Sequence, residues 1–269
     1  MKICFIGGGN MATALIGGLL GKGFSAAEIS VVEINGENRA RLQRDFAVRV
    51  FENIAEGVAG SQIIIFAVKP QQLRAVAQEL ASSLSGQLMI SIAAGILARD
   101  LARWSNCQSI VRAMPNTPAL IQSGMTGLYA LPGVTPAQRV LAQNILAAVG
   151  ETLWLDDETM MDAVTAISGS GPAYVFYFIE AMQQAAQKLG LNAEDARSLS
   201  LATFLGASKL AVSSDDDVSV LRARVTSKNG TTERALLSLS SNHVAEHIAQ
   251  AAQAAAERSR EMGEELGKA

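Results

Sequence analysis

The stretch Phe5-Ile6-Gly7-Gly8-Gly9-Asn10-Met11-Ala12 decides how the first half of the chain folds. It contains the pattern Gly-x-Gly-x-x-Ala, after the apolar run Ile3–Ile6 and at the start of a helix predicted over Met11–Leu20. In such a turn the first glycine allows the tight bend, the second lets the backbone approach a pyrophosphate, and the small third residue keeps helix and strand close. Unpaired N–H groups at the helix start favour phosphate. The pattern therefore predicts a dinucleotide-binding βαβ unit.

The residue that would meet the adenosine ribose ends the second predicted strand, Ile29–Glu33. A carboxylate at Glu33 would accept hydrogen bonds from the ribose 2′-hydroxyl and repel a 2′-phosphate, which favours NAD. Arg39 follows closely and would meet such a phosphate, although a solvated helix residue is an equal interpretation. The sequence leaves the choice between NAD and NADP open.

Short apolar runs alternate with helix-length segments through the rest of the first half. Ile63–Val68 is continuous, β-branched and followed by Pro70, which is typical of a central parallel strand buried on both faces. Strands separated by helices indicate βαβ units. We predict an α/β fold with a Rossmann-type doubly wound sheet over residues 1–157. Its other predicted elements are strands at Val48–Phe51, Gln87–Ile92 and Gln108–Arg112 and helices at Glu37–Phe46 and Gln71–Leu84.

The second half has the composition of a helical domain. No proline follows Pro172, and the residues beyond it are rich in Ala, Leu, Glu, Gln and Arg. We predict an all-α domain over residues 158–269. Its apolar helix surface would stay uncovered in a monomer, so a homodimer is favoured over a self-contained bundle. The predicted helices are Tyr174–Leu189, Ala193–Val212, Thr232–Leu239 and Val244–Leu266.

Composition narrows the class of protein. The 269 residues carry 22 Lys+Arg and 25 Asp+Glu, a formal charge of -3, which disfavours nucleic acid or an anionic membrane surface as a partner. Cys4 and Cys107 both lie in apolar runs, which fits a reducing compartment. No apolar run reaches the roughly 18 residues that a membrane span needs. We expect a cytoplasmic globular protein.

Other segments also carry polar chemistry. Ligands of doubly wound sheets lie beyond the carboxyl ends of the strands, where Lys69 is either a catalytic acid or phosphate partner or a solvated residue before a turn. Asn116 would donate a hydrogen bond to a carboxamide or substrate. The polar loop Val225–Thr232 would hold a carboxylate on its N–H groups, or is an ordinary N-cap. Ser168–Tyr174 also opens a helix.

Taken together, these segments resemble the pyrroline-5-carboxylate reductase family. The matching motifs are FIGGGNMA, FAVKP, SIAAG, RAMPNTPA, SGSGPAYVF and VTSKNGTT, in the family's order from residue 5 to about 239. The resemblance implies NAD(P)H-dependent reduction of 1-pyrroline-5-carboxylate to L-proline, the last step of proline biosynthesis. It also implies an interlocked homodimer built through the helical domain, which assembles into decamers in some members.

The resemblance also implies the site residues. NADPH, with NADH as the alternative, would be held by residues at the strand ends. The substrate would lie over the nicotinamide, with Thr232 as the catalytic residue hydrogen-bonding its nitrogen. The predicted cofactor set is Ile6, Gly7, Gly8, Gly9, Asn10, Met11, Glu33, Asn35, Asn53, Ala67, Val68, Lys69, Pro70, Ala93 and Ala94; the predicted substrate set is Val225, Ser227, Gly230, Thr231 and Thr232, partly contributed across the dimer.

Three departures from the family pattern matter. The loop reads Ser227-Lys228-Asn229-Gly230 where members often read Ser-Pro-Gly-Gly, which adds a charge beside the carboxylate site. Glu33 stands where small polar residues are usual and argues against NADPH. Asp215-Asp216-Asp217 replaces an acidic-His-Pro pattern, so Asp215 either keeps the acidic role or belongs to a solvated loop.

Two other functions remain open from the residues alone. One is another imine or hydroxyacid reductase on the same plan, which would place a catalytic lysine on a helix of the second domain, where Lys188 and Lys209 lie outside any motif. The other is a non-catalytic nucleotide-binding regulator. The polar loop Val225–Thr232, called the hydroxyl loop below, argues against this function. No metal is expected, because His243 and His247 have no third ligand nearby.

Overall fold

The computed structural model describes residues 1–268, which form two compact units. The first comprises Met1–Ser170 with the chain from Ala254 onward, and the second comprises Gly171–Gln253. The division by contacts thus lies at Ser170, and the domain boundary at residues 157/158 stays a prediction. No helix among residues 1–268 is both long and apolar enough to cross a membrane.

The first unit is built on one eight-stranded sheet, with strand order β3-β2-β1-β4-β5-β6-β7-β8. All neighbours pair in parallel except β6 and β7, which are antiparallel. This order confirms the doubly wound sheet. The strands are β1 (Ile3–Ile6), β2 (Ile29–Val32), β3 (Arg49–Phe51), β4 (Ile63–Phe66), β5 (Leu88–Ser91), β6 (Ile110–Met114), β7 (Gly124–Ala130) and β8 (Gly150–Trp154).

Helices cover both faces of the sheet. Because side chains alternate along a strand, Ile3 and Phe5 enter one apolar cluster while Cys4 and Ile6 enter the other. Continuous burial on both faces explains why the central strands are uninterrupted apolar runs. The helices of this unit are α1 (Asn10–Gly21), α2 (Gly36–Phe46), α3 (Ile54–Val58), α4 (Pro70–Leu80), α5 (Ala98–Ser105), α6 (Pro136–Leu146) and α7 (Met160–Val164).

Most predicted elements begin or end a few residues away from the expected position, as two examples show. The helix predicted to reach Leu84 ends at Leu80 and continues as a 3₁₀ turn over Ala81–Ser83. The strand predicted over Gln108–Arg112 begins at Ile110 and runs to Met114. Both shifts lie at element ends, where pattern is least informative.

The second unit is helical, which confirms the all-α prediction for this part of the chain. Helix α8 packs on α9, and the apolar side chains of both are largely exposed in the single chain. Exposed residues include Phe176, Tyr177, Leu205 and Leu210, and such a surface indicates an interface. The helices are α8 (Gly171–Lys188), α9 (Ala193–Val212), α10 (Val218–Arg224), α11 (Thr231–Ser241) and α12 (Val244–Lys268), whose last turns belong to the first unit.

Candidate active site

The first unit has its crevice where the strand order reverses. The chain passes from β1 outward to β3 and then returns to β4 on the other side of β1, so the carboxyl ends of β1 and β4 form a switch point. A cleft of about 710 Å³ opens there. Glu52 lines this cleft together with nine of the predicted cofactor residues: Ile6, Gly7, Gly8, Gly9, Glu33, Asn35, Ala67, Val68 and Lys69.

Each glycine of the turn has its own physical reason. Gly7 has φ +102°, and a Cβ there would lie 2.6 Å from the carbonyl oxygen of Ala67. Gly9 has an ordinary φ of −70°, and a Cβ there would meet nothing within 4 Å. Gly9 is therefore not needed by the fold itself. It leaves open the space through which a ligand can reach the backbone, while the buried Ala12 packs behind it.

The start of α1 is prepared for an anion. Gly9 is its N-cap and supplies no side-chain acceptor, and no acidic residue lies in the first turn. The first N–H groups and the positive end of the helix dipole are therefore left for a ligand. The open space at Gly9 and these donors together fit the pyrophosphate of a dinucleotide.

Glu33 connects the end of β2 to Gly7–Gly9, called the glycine turn below, through hydrogen bonds of its carboxylate. Its Oε2 accepts the Gly8 N–H at 3.0 Å and its Oε1 accepts the Asn35 N–H at 2.9 Å. The Asn35 side chain in turn caps α2 by accepting the Asn38 N–H at 2.9 Å. The carboxylate is thus fixed in the cleft at the position predicted for a ribose contact.

Two arginines of α2 contact the backbone at the ends of β1 and β2. Nη1 of Arg39 donates to the carbonyl oxygens of Glu33 at 2.6 Å and Ile34 at 2.9 Å, and its Nη2 pairs with Glu52 at 2.8 Å. Arg39 is therefore held at the end of β2 rather than free in solvent. Half-buried Arg41 donates to the Gly8 carbonyl at 3.2 Å and to Thr13 Oγ1 at 3.3 Å. Sequence reasoning missed Arg41 and Glu52, which no motif includes.

Several predicted cofactor residues have local structural tasks. Asn53 caps α3, accepting the Ala55 N–H at 2.8 Å. Lys69 is the exposed N-cap of α4, and Pro70 is its first residue, which suits a position where no N–H is needed. Ala93 is buried, and Ala94 is half-buried. Among the described residues that line the cleft, neither Asn53 nor this alanine pair is found.

In the second unit, the loop before α11 has the geometry of an anion-binding helix start. Gly230 is the N-cap and supplies no side-chain bond, so the N–H groups of Thr231 and Thr232 begin the helix. The Ser227 hydroxyl folds back over Gly230, close to where a Cβ would lie. Asn229, at φ +59°, donates its N–H to Glu233 Oε2 at 2.7 Å.

The remaining predicted residues of this unit divide clearly. Thr232 is half-buried, and its hydroxyl has no hydrogen-bond partner among residues 1–268, whereas Val225 is exposed at the end of α10. Asp216 pairs with Arg224, and Asp217 caps α10. Hydrogen bonds from Ser219 lower the pKa of the Asp217 carboxyl. The acidic stretch therefore organises α10.

Other titratable or amide groups serve the scaffold. Burial raises the pKa of the Cys4 thiol to about 11. The Asn116 amide donates to the Ser168 carbonyl and hydroxyl, both at 3.2 Å, and its Oδ1 accepts the Met125 N–H at 2.9 Å. Asn116, considered from sequence as a ligand donor, is thus fully engaged within the protein. No group of three potential metal ligands occurs among residues 1–268.

Two family models match the chain. One, described as pyrroline-5-carboxylate reductase dimerisation, matches residues 158–262. The other, described as NADP oxidoreductase, coenzyme F420-dependent, matches residues 2–95.

Relatives and solved structures agree with each other. The chain is 50% identical to a pyrroline-5-carboxylate reductase of Pseudomonas aeruginosa, over 90% of this chain and 89% of that one. It is 45% identical to that of Haemophilus influenzae, over 90% of each. A pyrroline-5-carboxylate reductase structure from Coxiella burnetii superposes with a TM-score of 0.93, 38% identity, and 97% and 98% coverage. A pyrroline carboxylate reductase from Plasmodium falciparum, solved with NADP bound, gives 0.88, 30%, and 98% of both chains.

Proposed function

The chain belongs to the pyrroline-5-carboxylate reductase family, and from that premise we propose that it reduces 1-pyrroline-5-carboxylate to L-proline with NADPH, or with NADH as the alternative. The observation that carries the proposal is the 50% identity over 90% of the chain. The glycine turn and the hydroxyl loop lie within the residues that the two family models match, 2–95 and 158–262. This reaction would complete proline biosynthesis.

The cofactor would be held by the cleft at the switch point. The N–H groups at the start of α1 would bind the pyrophosphate, since Gly9 leaves the approach open. Glu33 would accept a hydrogen bond from a hydroxyl of the adenosine ribose. Ala67, Val68 and Lys69 would line the path toward the nicotinamide. The bound cofactor supplies the hydride. We extend the proposed cofactor set to all predicted members: Ile6, Gly7, Gly8, Gly9, Asn10, Met11, Glu33, Asn35, Asn53, Ala67, Val68, Lys69, Pro70, Ala93 and Ala94.

Arg39 supports the use of NADPH despite the nearby carboxylate. Two backbone carbonyls hold its guanidinium, and its remaining partner, Glu52, is 71% exposed. An exposed ion pair contributes only about 0–1 kcal/mol, so a phosphate could replace Glu52 at little cost. The chain therefore offers Glu33 to a ribose hydroxyl and Arg39 to a 2′-phosphate.

The substrate would be bound by the loop before α11. The Thr231 N–H and the Ser227 hydroxyl would hold the carboxylate, and the positive end of the helix would favour its charge. The Gly230 N–H, also predicted as a donor from the sequence, already donates to the Ser227 carbonyl at 3.0 Å. The unpartnered Thr232 hydroxyl would hydrogen-bond the imine nitrogen and orient the ring. An imine that enters protonated needs no general acid, which agrees with the lack of a histidine in this loop. Val225 would give an apolar contact.

The exposed apolar faces of α8 and α9 support a homodimer built through the second unit, and a decamer of five such dimers is the larger assembly we propose. We also propose a cytoplasmic location, because both cysteines are free, as a reducing compartment favours.

The test is NADPH and NADH oxidation, followed at 340 nm, with 1-pyrroline-5-carboxylate, with a 2-oxo acid, and with no substrate. We expect oxidation only with the imine, together with an equal amount of L-proline. Oxidation with the 2-oxo acid would indicate a hydroxyacid reductase. Cofactor binding without cofactor oxidation in the presence of either substrate would indicate a regulator. Each of these two results would overturn the proposal.

A further inference from the structure

The loop Ile92–Leu97, between β5 and α5, contains the proposed cofactor residues Ala93 and Ala94. The Ala93 N–H donates to Ser91 Oγ at 3.4 Å at the start of this loop. Gly95 has φ +76°, and a Cβ there would lie 3.1 Å from Cβ of Met262 on α12. A hydrogen bond of 2.7 Å from Ser259 to Asp162 keeps those last turns of α12 in place. Met262 therefore confines the middle of the loop on the side that faces α12.

The far end of the loop is held by a buried ion pair. Nη1 of Arg112, on β6, lies 2.9 Å from Oε1 of Glu158, and their side chains are only 3% and 16% exposed. The same Oε1 accepts the N–H of Ala98, the first residue of α5, at 2.7 Å. The N-cap Leu97 offers no side-chain acceptor, so Glu158 does the capping from a distant part of the sequence.

Stability alone is a poor reason for this arrangement. Removing two charges from water is costly, and apolar residues of similar size are often as stabilising as a buried ion pair. An apolar pair, however, could not accept the Ala98 N–H. What only the ion pair provides is a fixed start for α5, and hence a fixed end for the loop that precedes it.

We propose that Arg112 and Glu158 are positioning residues for the reaction: Arg112 orients the Glu158 carboxylate, which anchors Ala98 and so sets the position of Ala93 and Ala94. This inference rests on the proposed function, in which Ala93 and Ala94 contact the cofactor. A displacement of about 1 Å at such a position can lower the rate about 100-fold.

The test compares Glu158→Met with the double variant Arg112→Met/Glu158→Met, because a glutamine at position 158 would still accept the Ala98 N–H. For both we expect kcat to fall about 10- to 100-fold, with KM for the imine changed less than threefold. The double variant should have a higher melting temperature than Glu158→Met, because it leaves no unpaired buried charge. The matched control is Glu261→Gln, which breaks the exposed pair with Arg258 and should leave both quantities unchanged.

Two results would overturn the inference. If the double variant regained kcat together with stability, or if Glu158→Met lowered stability without lowering kcat, the pair would be structural only. Failure of the proposed function is distinguishable, since wild-type protein would then reduce no imine.

Discussion

The pair of substitutions Gly7→Ala and Gly9→Ala separates the fold from ligand binding within one turn. At Gly9 the backbone suits any residue and the added methyl group meets no protein atom within 4 Å. Gly9→Ala should therefore keep or slightly raise stability, by up to about 1 kcal/mol through the unfolded state. It should nevertheless weaken cofactor binding, because the methyl group fills the approach to the N–H groups of α1.

The two effects can be given magnitudes. Losing one charge-assisted hydrogen bond of about 1.5–3 kcal/mol raises Kd for NADPH about 10- to 150-fold. Gly7→Ala forces a methyl group to 2.6 Å from the Ala67 carbonyl oxygen at φ +102°. Strain at such a position costs about 1–3 kcal/mol before the overlap is counted, so the melting temperature should fall by about 5–10 °C.

Thermal melting and NADPH fluorescence titration measure both quantities on each variant. The account requires opposite outcomes, with Gly9→Ala stable but poorly binding and Gly7→Ala unstable. Wild-type NADPH affinity in Gly9→Ala would refute the argument, since the space at Gly9 would then have nothing to do with the cofactor.

Three further predictions concern single side chains. Thr232→Ala should lower kcat/KM for the imine about 5- to 30-fold, through about 1–2 kcal/mol of lost hydrogen bonding, and leave NADPH affinity intact. The control is Thr226→Ala, because among residues 1–268 the Thr226 hydroxyl donates only to the Arg222 carbonyl. Equal activity of the two variants would remove Thr232 from the site. Glu33→Ser should raise the NADPH/NADH ratio of kcat/KM about 5- to 150-fold by removing a like charge worth about 1–3 kcal/mol. Glu37→Ser should leave this ratio unchanged, and an unchanged ratio in Glu33→Ser would contradict the ribose assignment. Cys4 should react with a thiol reagent only after unfolding. Because burial raises its pKa from the ordinary 9.0 to about 11, the free energy of unfolding should fall as the pH rises from 9 to 11. Cys4→Ala should remove this pH dependence.

The parts of the fold that were predicted from sequence carry a strong local pattern. β1 and α9 have the predicted bounds, Ile3–Ile6 and Ala193–Val212, because a buried strand is a continuous apolar run and a proline-free segment of good helix formers has no competing structure. β7 and β8 were not predicted. β7 contains two glycines and no clear alternation, and its antiparallel pairing with β6 comes from tertiary contacts. α5 and α10 were missed because they span only eight and seven residues, whereas α6 was missed although Thr135 and Pro136 form a recognisable helix start.

The candidate site divides in the same way. The glycine turn could be located because each glycine performs a local task, and Glu33 because it ends a recognisable strand. Arg41, Glu52 and the Arg112–Glu158 pair could not be located, since the last joins residues 46 positions apart and no local rule links them. The hydroxyl loop was found through the family resemblance, as its residues alone fit an ordinary N-cap equally well.

The central claim is that this chain brings a reduced nicotinamide to the imine carbon of a five-membered ring. The most direct measurement is mass spectrometry of the L-proline formed from unlabelled 1-pyrroline-5-carboxylate and NADPH in which both hydrogens at C4 of the nicotinamide are deuterium. The account predicts one deuterium per proline, located at C5. Proline without deuterium at C5, or oxidised cofactor without proline, would contradict it.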